Sequence, residues 1–286
     1  MLNRLGVAMN GFAVACACVC ALLAMALPAS AQNAAEIAAI CAKAKPTAIP
    51  AGFLRKQMEA MRALWPELPE HLRHQDAVKE PADMDVQRYF TVLTHVKMEG
   101  GYVLDYVYHY DGLGGFPVLY ARKKHAPAFA AEKDLNAAPE KKELTDWMRH
   151  VLVDATPEGW LEITLLSKYG NAFYLHWHAL AFASGLAYDK KDLETLAKQF
   201  VPDGVELDEK APPPDQKGID TKKLQAADPD NCVRMSETHA VIELYTVSEV
   251  RGTIARESFA WTLKTPYGPP LTKEERLVCS GRNIVF

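Results

Sequence analysis

Read for its hydrophobic and polar positions, the chain opens on an uninterrupted apolar run, Phe12 to Leu27, behind a single Arg4 and ahead of Pro28 and the small residues Ala29-Ser30-Ala31. That order of basic residue, apolar stretch and small-residue site predicts a cleavable export signal over 1–31. The run is shorter than the roughly 20 residues a membrane span needs. Helical spacing follows. Ala34–Lys43 is alanine-rich, Pro46 and Pro50 interrupt it, and Phe53, Leu54, Met58, Met61, Leu64 and Trp65 form one stripe that Pro66 stops.

From Val86 to Arg122 the period changes to two. Turn signals at Glu99-Gly100-Gly101 and at Asp111–Gly115 predict a three-strand antiparallel meander. Strand parity puts Tyr102, Leu104, Tyr106, Tyr108 and Tyr110 on one face. Val103, Asp105, Val107 and His109 fall on the other, which reads as the better core face.

Beyond it, Pro139–Val153 carries a helical stripe through Leu144, Trp147, Met148, Val151 and Leu152. Trp160–Ser167 and Asn171–Ala179 then read as a second hairpin about Lys168-Tyr169-Gly170. A capped amphipathic helix is expected from Asp189 to Val201, ended by Pro202. The stretch to Asn231 is charged and proline-rich, including Pro212-Pro213-Pro214, and reads as a linker or long excursion. Strands return at His239–Val247, Thr253–Lys264 and Arg276–Phe286.

The predicted class is therefore α+β: an antiparallel meander and hairpins with helices packed on one side, plus a C-terminal β-rich segment. The expected division is a signal (1–31), an N-terminal helical segment (32–83), an α+β core domain (84–201), a linker (202–231) and the β-rich segment (232–286). The last is either a second small domain or an extension of the first sheet.

Charge and cysteine content sharpen this picture. The net charge of −4, with both signs interspersed, excludes the clustered cations of a nucleic-acid footprint. Export implies a secreted or periplasmic location and an oxidising compartment. Three cysteines follow the signal; Cys232 and Cys279 are the preferred disulfide, and Cys41 reads as a helix residue.

Candidate chemistry falls in two places. The face bearing Tyr106, Tyr108 and Tyr110 is broad, aromatic and amphipathic, suited to gripping a small-molecule ligand or a protein partner. Asp105 and His109, polar on a face expected to be buried, each require a hydrogen-bond partner and are the acid–base candidates. In the second hairpin the expected register sets Glu162 across from His176, with His178 two residues on. Two histidines and a carboxylate would form a facial site for a divalent transition metal that could activate water. The Asp-Gly-Leu-Gly-Gly loop is not followed by a helix, so it reads as a hairpin turn rather than a phosphate cradle. The expectation is a non-catalytic binding protein using the aromatic strand face, with a metal-dependent hydrolase as the alternative.

Overall fold

In the computed structural model, which describes residues 29–202, 217–264 and 268–280, the first described element is helix α1 (Ala29–Lys43). The two-residue strand β1 (Lys45–Pro46) and helix α2 (Phe53–Arg62) follow. Gly52, at φ 73, makes the left-handed turn into α2, which buries Leu54, Gln57, Met58 and Met61. The proposed signal lies almost wholly outside the described residues.

Val86–Val92 is not the first strand of a meander. Asp85 accepts a hydrogen bond from the Gln87 amide and winds Val86–Arg88 into a 3-10 turn, which continues as α3 (Tyr89–Val92). The strands after it are β2 (Val96–Met98), β3 (Tyr102–Tyr110) and β4 (Gly114–Lys123). Next come α4 (Glu132–Ala137), α5 (Lys141–Thr145), a 3-10 turn at Trp147–His150 and β5 (Val151–Val153). The helix expected over Pro139–Val153 thus breaks into a helix, a turn and a strand. β5 pairs with β2, setting Val96 opposite Val153, so β2 leaves β3 for a two-stranded sheet of its own. The redirection occurs at Gly101, whose φ of 93 closes a turn in which the Tyr102 amide donates to the Glu99 carbonyl.

The second expected hairpin is corrected more deeply, because Trp160–Ser167 lies within helix α6 (Pro157–Tyr169). Thr156 caps it, accepting from the Gly159 amide at 3.1 Å, and Pro157 and Glu158 occupy its first turn. The core encloses α6 on nearly every side: Trp160, Leu161, Ile163, Leu165 and Leu166 are buried, and so are Glu162 and Thr164. A helix without a polar face has no 3.6-residue signature to read.

After α6 come β6 (His176–Trp177), a 3-10 turn at His178–Phe182, β7 (Gly185–Ala187) and α7 (Lys190–Phe200), capped by Asp189 as expected. Residues 217–231 of the expected linker are structured, carrying β8 (Gly218–Ile219) and α8 (Thr221–Ala226). Pro212–Pro214 falls outside the described residues. The strands β9 (Val233–Met235), β10 (His239–Ser248), β11 (Thr253–Thr262) and β12 (Leu271–Cys279) complete the described chain.

The strands are antiparallel throughout. A seven-stranded sheet runs β1-β9-β10-β11-β12-β8, with β7 beside β9 on the same edge of β10; β3, β4 and β6 form a three-stranded sheet. One face of the large sheet, including Ile242, Leu244 and Trp261, shares a continuous core with α6, α2 and the β3–β4 hairpin. The other face is covered at one end by Ile37 and Ile40 of α1 and at the other by Leu193, Ala197 and Phe200 of α7. Thr164 ties α6 to the sheet: its hydroxyl donates to the Trp160 carbonyl and accepts from the Trp261 indole, each at 2.8 Å. Among the described residues no helix is long and apolar enough to cross a membrane.

The expected Cys232–Cys279 disulfide is absent; Cys41, Cys232 and Cys279 are free thiols. Cys232 immediately precedes β9 and Cys279 ends β12, with β10 and β11 between them. Three strand spacings amount to about 14 Å, well beyond the roughly 4.4–6.8 Å between Cα atoms that a disulfide spans.

Candidate ligand-binding cleft

The β3–β4 turn is shaped by its own acid. Asp111 Oδ1 accepts from the Leu113 and Gly114 amides, both at 2.9 Å, and these donors hold the carboxyl below its ordinary range. Gly112, at φ 86, supplies the left-handed residue. The amides a phosphate would need are therefore occupied from within. The tip is apolar instead of polar, with Leu113 and Phe116 exposed.

Onto this turn β6 lays a short edge, pairing Trp177 with Gly114 and His176 with Gly115. Both glycines are required by proximity rather than by backbone angle. A Cβ on Gly115 would collide with the Tyr108 hydroxyl, and one on Gly114 would sit 3.0 Å from the Ala179 nitrogen. The segment that makes this approach is strained. Tyr174 and Trp177 are non-glycine residues at φ 54 and 47, and Trp177 stands 58% exposed. Tyr174 is held by two hydrogen bonds, its carbonyl accepting from the Tyr108 hydroxyl at 2.7 Å and its own hydroxyl from the Met84 amide at 3.2 Å.

Between the turn, the end of α6 and residues 171–184 lies a cleft of about 550 Å³. Leu113, Phe116, Tyr169, Ala172 and Leu175 supply its apolar lining, with Asp111, Lys168, His178 and Ser184 as polar groups. Lys168 is held by both oxygens of Glu257, at 2.8 and 2.7 Å. Burial pushes the Tyr169 phenol up. A second hollow of about 280 Å³ shares the wall of Tyr169, Ala172 and Leu175 and adds the exposed Leu180 and Val250.

The residues singled out from sequence lie elsewhere, or apart from one another. Tyr106 and Tyr108 are core side chains, not a binding surface. The Tyr106 ring meets Phe173 edge-on at 5.0 Å and has Lys79 Nζ 4.7 Å from its centroid. Burial raises both phenols. The expected order of the two faces is reversed, because residues 173–174 and α6 pack onto the tyrosine side while the valine side meets only the small cluster of Val107, Tyr120 and Leu135. Tyr110 is half-buried beside His176, with ring centroids 5.8 Å apart.

Asp105 is buried in a three-way arrangement, accepting from Lys79, from Arg122 Nε at 2.9 Å and from the Tyr106 amide. His109 pairs separately with Glu132 at 2.7 Å. Each has the partner its burial requires, and the two do not meet. Glu162 accepts from Gln57 Nε2 at 3.0 Å and from the His95 amide at 2.7 Å, enclosed in the core, where burial raises its carboxyl. His176 lies on β6 and His178 lines the cleft. The structure does not bring Glu162, His176 and His178 together, since their facing register depended on a strand where α6 forms. The described residues contain no group of three or more His, Cys, Asp or Glu placed to hold a metal ion.

The cleft itself escaped the sequence reading. One signal was present: two large apolar residues, Leu113 and Phe116, in a turn where polar residues are ordinary. Comparison with protein-family models, curated proteins and solved structures returned no match.

Proposed function

We propose that this is an exported, non-catalytic binding protein whose ligand lies in the cleft between the β3–β4 turn and residues 171–184. One observation carries the reading: Leu113 and Phe116 are exposed in the wall of a hollow of about 550 Å³ with a largely apolar lining, and Leu180 is exposed in the smaller hollow that adjoins it. Exposed apolar clusters at a concave mouth mark binding sites more often than accidents of packing. The left-handed backbone at Trp177 is a second support, for strain of this kind is kept where the side chain it presents is used. Export rests on the apolar run Phe12–Leu27 and the small-residue site behind it.

The neutral fluorophore N-phenyl-1-naphthylamine tests the proposal. Saturable binding with one-to-one stoichiometry is expected. Ala183→Trp should abolish it, because Ala183 lines the hollow from its exposed side and an indole there occupies the ligand's space. Circular dichroism and the thermal midpoint should be unchanged. Unsaturable binding, or binding indifferent to Ala183→Trp, defeats the proposal.

A further inference from the structure

Resting on the cleft as the ligand site, we infer that the ligand is an amphipathic cation, an apolar body carrying an ammonium head. The charges around the hollow decide its sign. Asp111 stands fully exposed on the turn that forms one lip. Its Oδ1 is engaged by the Leu113 and Gly114 amides, which fix the carboxylate, and its Oδ2 has no partner among the described residues. Lys168, the cation of the lining, is neutralised at two points by Glu257, and Thr246 Oγ1 donates to the same carboxylate at 2.8 Å. The adjoining hollow contributes one charge of each sign, Arg62 and Glu249. Behind the turn, His109 is paired with Glu132. Asp111 is thus the carboxylate of the lining to which no cationic side chain is bonded among the described residues.

The aromatic content points the same way. Phe116 lines the same hollow as Asp111 and is exposed, and the faces of aromatic rings attract cations while repelling anions. An ammonium near Asp111 would gain from both groups while its apolar body enters between Leu113, Phe116 and Leu175.

Three probes with one eight-carbon body and different heads test this: octyltrimethylammonium, octyl sulfate and octanol. Each is used below its aggregation concentration at pH 8, where imidazole in water is neutral, to displace N-phenyl-1-naphthylamine from the purified protein. Half-displacement by the cation is expected at about one-tenth the concentration of the sulfate, with octanol between them, as about threefold attraction and about threefold repulsion at an exposed charge would give. Asp111→Asn keeps an oxygen for the two amides and removes the charge, and should bring the three probes within about twofold of one another. Equal displacement by all three heads, a reversed order, or a cation preference that survives Asp111→Asn overturns the head-group inference and leaves the cleft standing. Failure of all three to displace a dye that Ala183→Trp also fails to exclude overturns the cleft reading, and the inference with it.

Discussion

Helix α6 and the mouth of the cleft it helps to line treat their side chains in opposite ways. In α6 the enclosed Glu162 and Thr164 are matched, Glu162 by Gln57 and the His95 amide, Thr164 by the Trp160 carbonyl and the Trp261 indole. At the mouth, Leu113 and Phe116 are exposed, and beside it Trp177, paired with Gly114, is more than half exposed and holds a backbone conformation that side chains disfavour. The first region lowers the free energy of the fold; the second raises it and keeps a surface available. The two adjoin at Lys168 and Tyr169, so this division of roles operates over very short range.

Substitutions can break that division or sharpen it. Trp261→Ala should have the largest effect, about 3–5 kcal/mol of lost stability in urea denaturation, because it removes a buried indole from the contact with Trp160 and the donor from Thr164. The folded fraction should bind N-phenyl-1-naphthylamine as before; a parallel loss of dye affinity would show that core and cleft act as one unit.

Glu162→Gln should cost about 1–3 kcal/mol, since an amide can accept at only one of the two positions where Gln57 and the His95 amide donate. It also carries a pH signature. Burial holds the folded carboxyl above its unfolded value near 4.5, so the folded chain binds this proton more tightly. The contribution of Glu162 is therefore greatest below that value and is lost as pH rises through the raised folded value. Wild-type stability minus that of Glu162→Gln, followed by urea denaturation across this window, should fall with increasing pH. A difference that rises would refute the assignment.

Trp177→Gly should give the smallest change and the opposite sign, a gain of about 1 kcal/mol as the left-handed residue is relieved, accompanied by weaker dye binding. A loss of stability would remove the argument that strain is maintained there for the ligand.

What could be read from sequence follows the same division. Helix α7 was legible because one face is buried through Leu193, Ala197 and Phe200 while the rest meets solvent. The hairpin of β3 and β4 was legible from its period of two and its glycine turn. Helix α6 was not, because burial on nearly every side erased its period and left an alternation of large apolar residues that imitates a strand; only Thr156-Pro157-Glu158 marked its start. Tyr89–Val92 misled through its β-branched and aromatic residues, where the Asp85 cap prevailed. Parity assigned the two faces of β3 correctly but could not say which would meet the larger core, since that depends on elements far along the chain. The cleft was the least legible feature. It exists because β6, only two residues long, seats on Gly114 and Gly115, and so short a pairing leaves no periodic trace.

The free cysteines have a kinetic consequence. Cys232 is fully buried beside β9, and its thiol is pushed up to about 12, chiefly by burial. At pH 7 such a thiol is almost wholly protonated as well as enclosed, so alkylating reagents reach it through opening of the core. Cys41, half-exposed on α1, answers at the surface. The ratio of the two labelling rates, followed over hours on undisturbed protein, therefore counts how often the β9 end of the core comes apart, and the chain carries its own clock for that event.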